Sequence, residues 1–208
     1  MKTPPPTTLI VATLFEAKPF IRQLELKEHK ESPFPVFFNQ SIFLTVTGIG
    51  KVNAAMGTAY CCTAFNPSQI MNIGAAGASD NLSKPGEVFQ ISKIYELDRL
   101  SFRTRKPLVH KPDLLEGFPS ATLATQDRPI LDPADRRRVS QTAQLVDMEG
   151  AAVVQVCRRF GTVCRVFKFV SDTPNHTSVL EVIANIKRYR KRFCDYICER
   201  VLKVNGEQ

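Results

Sequence analysis

No run of eighteen apolar residues occurs in this 208-residue chain, so no segment reads as a membrane span. The opening residues, MKTPPPTT, carry one lysine and three prolines but no apolar signal core ahead of the first strand. The cytoplasm is the expected location. There is no CxxC pair, and the six cysteines (Cys61, Cys62, Cys157, Cys164, Cys194 and Cys198) lie in or beside apolar periodic segments. Buried reduced thiols are expected there, not a disulfide framework, and neither a metal nor a cofactor is expected. The GxxxxGK[ST] spacing of a phosphate loop is missing. No aromatic-basic RNA motif accompanies the two basic clusters, Arg136–Arg138 and Lys187–Arg192, which supply much of the formal charge of +8. A basic surface can attract polyanions. Both clusters fall on expected helices, however, where a solvated face explains them, so nucleic acid is not the expected partner.

Apolar residues make up 43% of the chain and charged residues 23%, enough for a globular core of normal size. One domain over residues 1–208 is expected, with 1–7 as a tail. Residues 145–172 organise the rest. Leu145–Met148 reads as a short strand that delivers Glu149 at its carboxyl end. A helix follows, with Ala151, Ala152, Val153, Val156 and Cys157 at helical spacing and Gly161 as its stop. Val163–Val170 is β-branched and aromatic, a buried strand that ends in Ser171 and Asp172. Read as two parallel strands joined by a helix, this unit brings Glu149 and Asp172 to one crevice.

Upstream, Leu9–Thr13 is a short apolar run typical of a central strand, and Glu16 stands just past it at the start of a helical stripe of Ala17, Phe20, Ile21 and Leu24. A first-turn acid complementing the helix dipole is one account of Glu16. Phe34–Asn39 and Ser41–Thr47 read as a hairpin that runs into Gly48-Ile49-Gly50-Lys51 and a helix N-terminus. Gln69–Asn72 runs as a strand into Ile73-Gly74-Ala75-Ala76-Gly77-Ala78, small residues that let a ligand approach the backbone. A long helix is expected over about residues 178–204, and His176 before it reads as a surface residue. Tyr95–Lys111 is less regular, Asp98 within it reads as a surface acid, and Pro107–Pro119 reads as a loop.

Met148-Glu149-Gly150-Ala151-Ala152 after one strand and Ser171-Asp172 after the next resemble the signature of the nucleoside phosphorylase and nucleosidase superfamily. Glu16 after the first strand, Gly48-Ile49-Gly50-Lys51 and the Gly74–Gly77 turn are similar to it too. The resemblance covers roughly residues 9–172. It implies an α/β fold in three layers, α/β/α, with a central mixed β-sheet. It implies a homodimer or higher homo-oligomer, and a purine nucleoside as small-molecule substrate. Residue by residue, it implies that Glu16 activates the attacking water and that Asp172, next to Ser171, protonates the leaving base. Met148 and Glu149 hold the ribose, and Ala75 and Gly77 belong to the nucleoside-binding turn. Lys168 stands where nucleosidases often carry arginine near the water, and Ile130 lies in the loop that packs on the base. An acid that protonates a base must hold a proton near neutral pH, so Asp172 is expected to be buried.

The departures carry chemistry. Phosphorylases of the family commonly have an arginine just before the Gly-rich turn; this chain has Asn72-Ile73. Hydrolysis is therefore the leading expectation, closest in pattern to the methylthioadenosine/S-adenosylhomocysteine nucleosidases. Futalosine hydrolase-like hydrolysis, phosphate-dependent cleavage, and a catalytically weak nucleoside-binding or nucleic-acid-associated protein are the alternatives. The last is motivated by Ala75 in place of serine, Lys168 in place of arginine, and Pro129-Ile130 in place of an aromatic residue.

Overall fold

The computed structural model describes residues 6–31 and 33–203. The tail expected over residues 1–7 falls partly on residues 1–5, outside them, and Thr7 already opens the first strand. The strands are β1 (Thr7–Val11), β2 (Lys27–Lys30), β3 (Val36–Phe38), β4 (Ile42–Val46), β5 (Gln69–Ala78), β6 (Val88–Leu100), β7 (Pro107–His110), β8 (Ser120–Thr125), β9 (Leu145–Asp147) and β10 (Val163–Asp172). The helices are α1 (Leu14–Gln23), α2 (Lys51–Phe65), α3 (Pro133–Ser140), α4 (Gly150–Phe160) and α5 (Val179–Tyr196), the last running on into a π-helical turn at Ile197–Leu202.

All ten strands join one mixed sheet. β1, β4 and β10 are parallel to β5, and β3 and β2 extend the β4 edge by antiparallel pairing. Beyond β10 the sheet curls back on itself. β6 pairs antiparallel with β10, β8 pairs parallel with β6, β9 pairs parallel with β8, and β9 returns to pair antiparallel with β5. The result is a closed ring of β5, β10, β6, β8 and β9. Two apolar layers cover the sheet. Ala54, Cys61 and Cys62 of α2 and Ala151, Val153, Val154 and Cys157 of α4 pack on one face. Ala17 and Phe20 of α1 and Phe193, Cys194, Ile197 and Val201 at the C-terminal end pack on the other. This is the three-layer architecture with a mixed sheet.

Several expectations need correction. β9 runs antiparallel to β5, and β5 runs parallel to β10, so the strands flanking α4 are antiparallel to each other. Val154 rather than Val156 faces the core, because the stripe leading to Cys157 passes through Ala151, Val153 and Val154. β6 continues to Leu100 and pairs with β7, so the segment read as irregular and then as loop holds a ribbon. β2, Lys-Glu-His-Lys, is exposed throughout and shows no apolar alternation. It is held by its pairing with β3 and by the His29 ring against Phe38, Phe43 and Phe65, and a charged edge strand of that kind discourages further pairing. The cysteines are free, as expected.

Candidate active site

The acids of the site sit where a strand ends or a helix begins, and Lys168 comes from the middle of β10. Thr13 caps α1: the Glu16 amide donates to Thr13 Oγ1 at 3.3 Å, and the Thr13 hydroxyl donates to Glu16 Oε2 at 2.7 Å. The other carboxylate oxygen, Oε1, accepts from the Ala75 amide at 2.9 Å. Glu16 thus leaves α1 for the middle of β5 and is buried there.

The direction of β9 brings Glu149 to the same place. Val146 stands opposite Gly77, and because β9 is antiparallel the chain then runs back along β5 toward Ala75. Glu149 stands just past the end of β9, as the residue before α4, close enough to Asp147 for that charge to act on it. Glu149 Oε1 accepts from the Gly50 amide at 3.0 Å. Gly50 precedes α2 with φ at 98°, a backbone conformation that glycine reaches without steric cost. Lys168, opposite Gly74 on β10, completes the cluster. Its Nζ lies 2.9 Å from Asp147 Oδ2, and both side chains are almost fully buried.

The electrostatics follow from that packing. Burial pushes the Glu149 carboxyl up to about 7, the Asp147 charge adds to this, and Lys168 and the Gly50 amide oppose it. Burial disfavours the charge on Lys168, but Asp147, Glu149 and Glu16 more than offset that, so its pKa is raised. Lys168 is therefore a fixed cation among three carboxylates.

Asp147 was not among the residues singled out from the sequence, although its place two residues before Glu149 on a strand is a signal that finds it. It has two further tasks. Its Oδ2 accepts from the Gly150 amide at 2.9 Å at the start of α4, and its Oδ1 accepts from the Thr125 hydroxyl at 2.6 Å. These bonds occupy a donor that a helix N-terminus otherwise leaves unpaired.

Asp172 lies one step away along β5, at the carboxyl end of β10 opposite Gly77. Its Oδ1 accepts from the Ser171 hydroxyl, and its Oδ2 is ion-paired with Arg136 of α3. Arg136 is only 1% exposed. This overturns the reading of Arg136–Arg138 as a solvated basic face: Arg137 and Arg138 fit it, while Arg136 turns inward. Asp172 is buried as expected, at 3% exposure, but its buried partner is a guanidinium. A Cβ on Gly77 would stand 2.7 Å from Arg136 Nη1 and 2.8 Å from Asp172 Oδ2, so only glycine lets the pair lie on β5.

Met148 and Ala75 are half-buried beside the cluster, and Gly77 and Ser171 are buried. The Ile130 side chain packs with Ala124, Val139, Ala143 and Val146 beneath α3. It anchors the loop that carries it rather than presenting a stacking face. Asp98 is exposed, in line with its reading as a surface acid. It accepts from Lys51 Nζ at 2.6 Å and from the Asp127 amide at 2.9 Å, which ties the 127–130 loop to the start of α2. His176 holds its own loop through Thr173. Among the described residues no group of three or more His, Cys, Asp or Glu side chains could hold a metal ion, and no helix is long and apolar enough to cross a membrane.

Comparison with known proteins adds to this geometry. Residues 6–203 match the model of the Phosphorylase superfamily. A 5'-methylthioadenosine/S-adenosylhomocysteine nucleosidase of Staphylococcus aureus (strain JH9) is 28% identical over 161 residues, covering 66% of this chain and 71% of the relative. The apo structure of an Arabidopsis thaliana 5'-methylthioadenosine nucleosidase superposes with a TM-score of 0.85 at 20% identity, covering 98% of both chains. The native futalosine hydrolase of Helicobacter pylori superposes with a TM-score of 0.82 at 16% identity, covering 95% of this chain and 97% of that one.

Proposed function

We propose that this chain, which belongs to the phosphorylase superfamily, hydrolyses the N-glycosidic bond of a purine nucleoside with an altered 5' end. The observation that carries this is the charge of the crevice. Glu16, Asp147 and Glu149 surround the buried cation Lys168, and the other buried cation of the crevice, Arg136, is already paired with Asp172. A phosphate dianion entering such a site meets excess negative charge, and Asn72-Ile73 supplies none of the opposite sign. Water meets no such barrier. The nucleosidase names of the relatives support the same reading.

In this reading a water rests on Glu16 and gives it a proton while attacking the sugar carbon. The bond from that carbon to the base breaks, and its electron pair leaves with the base. Glu149 accepts hydrogen bonds from the ribose hydroxyls and faces the cationic sugar of the transition state. Asp172 faces the departing base, whose charge grows as the bond lengthens. Lys168 holds Asp147 and Glu149 in place around the sugar.

Two results test this. Free base is expected from a panel of purine nucleosides, methylthioadenosine among them, at the same rate with and without phosphate. Strict phosphate dependence would select phosphorolysis, and no base under either condition would end the enzymatic reading. The second result is a pH profile. Glu149 accepts from ribose hydroxyls as a carboxylate, and its pKa is pushed up to about 7 by burial first. kcat/KM is therefore expected to rise with pH through about 7, and Glu149→Gln should lower activity and flatten that limb. Stability runs the opposite way. The folded-state value lies above the usual 4.5, so the contribution of Glu149 to folding is complete below that value and is lost as pH rises toward 7.

A further inference from the structure

We infer that Arg190 is a positioning residue for the reaction: it replaces a backbone donor that Pro19 removes from α1, and so fixes the turn that carries Glu16. The inference rests on the proposed hydrolysis with Glu16 as its base, and adds to it a residue of α5.

Pro19 lies inside α1. In a regular helix the Phe15 carbonyl would accept from the amide four positions on, at residue 19. Proline has no N–H, and its ring crowds that same carbonyl. The Phe15 carbonyl therefore has no such donor within its own helix. Arg190 of α5 supplies one through Nη1. Its guanidinium also lies over the Phe15 ring, 3.9 Å from the centroid. Arginine suits both contacts, because its planar fork stacks on an aromatic face while it donates. This departs from the reading of Lys187–Arg192 as a solvated face: Lys187, Arg188, Lys191 and Arg192 are exposed, while Arg190 is half-buried against α1.

The Phe15 carbonyl belongs to the same planar peptide group as the Glu16 amide. Thr13 holds the amide end, at 3.3 Å to its Oγ1 and 3.2 Å to its carbonyl oxygen. Arg190 holds the carbonyl end. α5 is itself anchored beside this contact. Phe193 packs edge-on against Phe20 of α1, with 6.0 Å between ring centroids, and against Phe169 of β10 at 4.9 Å. The Glu16 carboxylate thus enters the crevice from a peptide group fixed at both ends. Misplacing a reacting group by about 1 Å can cost about a hundredfold in rate, so this fixing matters to turnover.

The test is a set of variants assayed across the purine nucleoside panel, 5'-methylthioadenosine among them. Arg190→Met keeps the bulk and loses the donors. It is expected to lower kcat by about tenfold to a hundredfold with KM little changed. Arg190→Lys, which keeps a donor, should recover most of that loss. Two backgrounds separate positioning from a general loss of stability. Pro19→Ala gives the Phe15 carbonyl an amide within its own helix, so Arg190→Met should cost little there. In Glu16→Gln the base is already gone, so adding Arg190→Met should lower kcat no further. Wild-type kcat in Arg190→Met, or a deficit that persists undiminished in either background, overturns the inference and leaves hydrolysis standing. If Arg190→Met does not fold, recovery of a folded, active protein by adding Pro19→Ala sustains the inference, and no recovery overturns it. No base release by the wild-type protein removes the hydrolase reading and the role of Arg190 together.

Discussion

Glu16→Gln is expected to lower kcat by about a hundredfold to ten-thousandfold, the usual contribution of a positioned general base. The substitution is a fair one because it leaves the local structure intact. The carboxamide oxygen can still accept from the Ala75 amide, and the amide nitrogen can donate to the Thr13 hydroxyl in place of the present bond. What is lost is the capacity to take a proton from water. The melting temperature should therefore stay near that of the wild type while turnover collapses. KM should change little, since Glu16 acts on the water and not on the nucleoside. A variant that keeps wild-type kcat would exclude Glu16 as the base and shift that role to Asp147 or Glu149.

Lys168→Met is expected to cost stability as well as turnover. Removing one partner of a buried ion pair leaves an uncompensated charge, at about 3–5 kcal/mol. Here the orphaned group is Asp147, with Glu149 and Glu16 close enough to add their repulsion. Lys168 also holds the Glu149 pKa down, so without it that value moves further above 7. The deficit should be largest at alkaline pH and shrink as the carboxyl groups take up protons. Urea unfolding at several pH values measures both features. The double variant Lys168→Met with Asp147→Asn should recover part of the loss, because asparagine removes the stranded charge and still offers an acceptor to the Gly150 amide. Equal stability of Lys168→Met and wild type would mean that the ion pair contributes nothing net.

These two predictions differ in how far the sequence could reach them. Glu16, Glu149 and Asp172 each stand just after an apolar strand, and their order and spacing match a known signature, so they were legible from local pattern. Asp147 was half legible, since it stands two residues before Glu149. Arg136 was not. On its own helix it is one of three consecutive arginines with nothing to mark it, and its partner Asp172 is 36 residues away. The antiparallel course of β9 was equally hidden, because Leu145–Asp147 looks the same whichever way its neighbours run.

The strand-helix-strand unit around residues 145–172, the apolar faces of α1 and α5, and the acids at strand ends were determined by the sequence alone, because a side chain's face follows from the period of its own helix or strand. The pairing of Lys168 with Asp147, the inward turn of Arg136, and the gathering of Glu16 and Glu149 beside Ala75 were decided only in the tertiary structure. They depend on the sheet closing into a ring, and that closure is a balance of contacts between strands far apart in the chain, which no single window of residues contains.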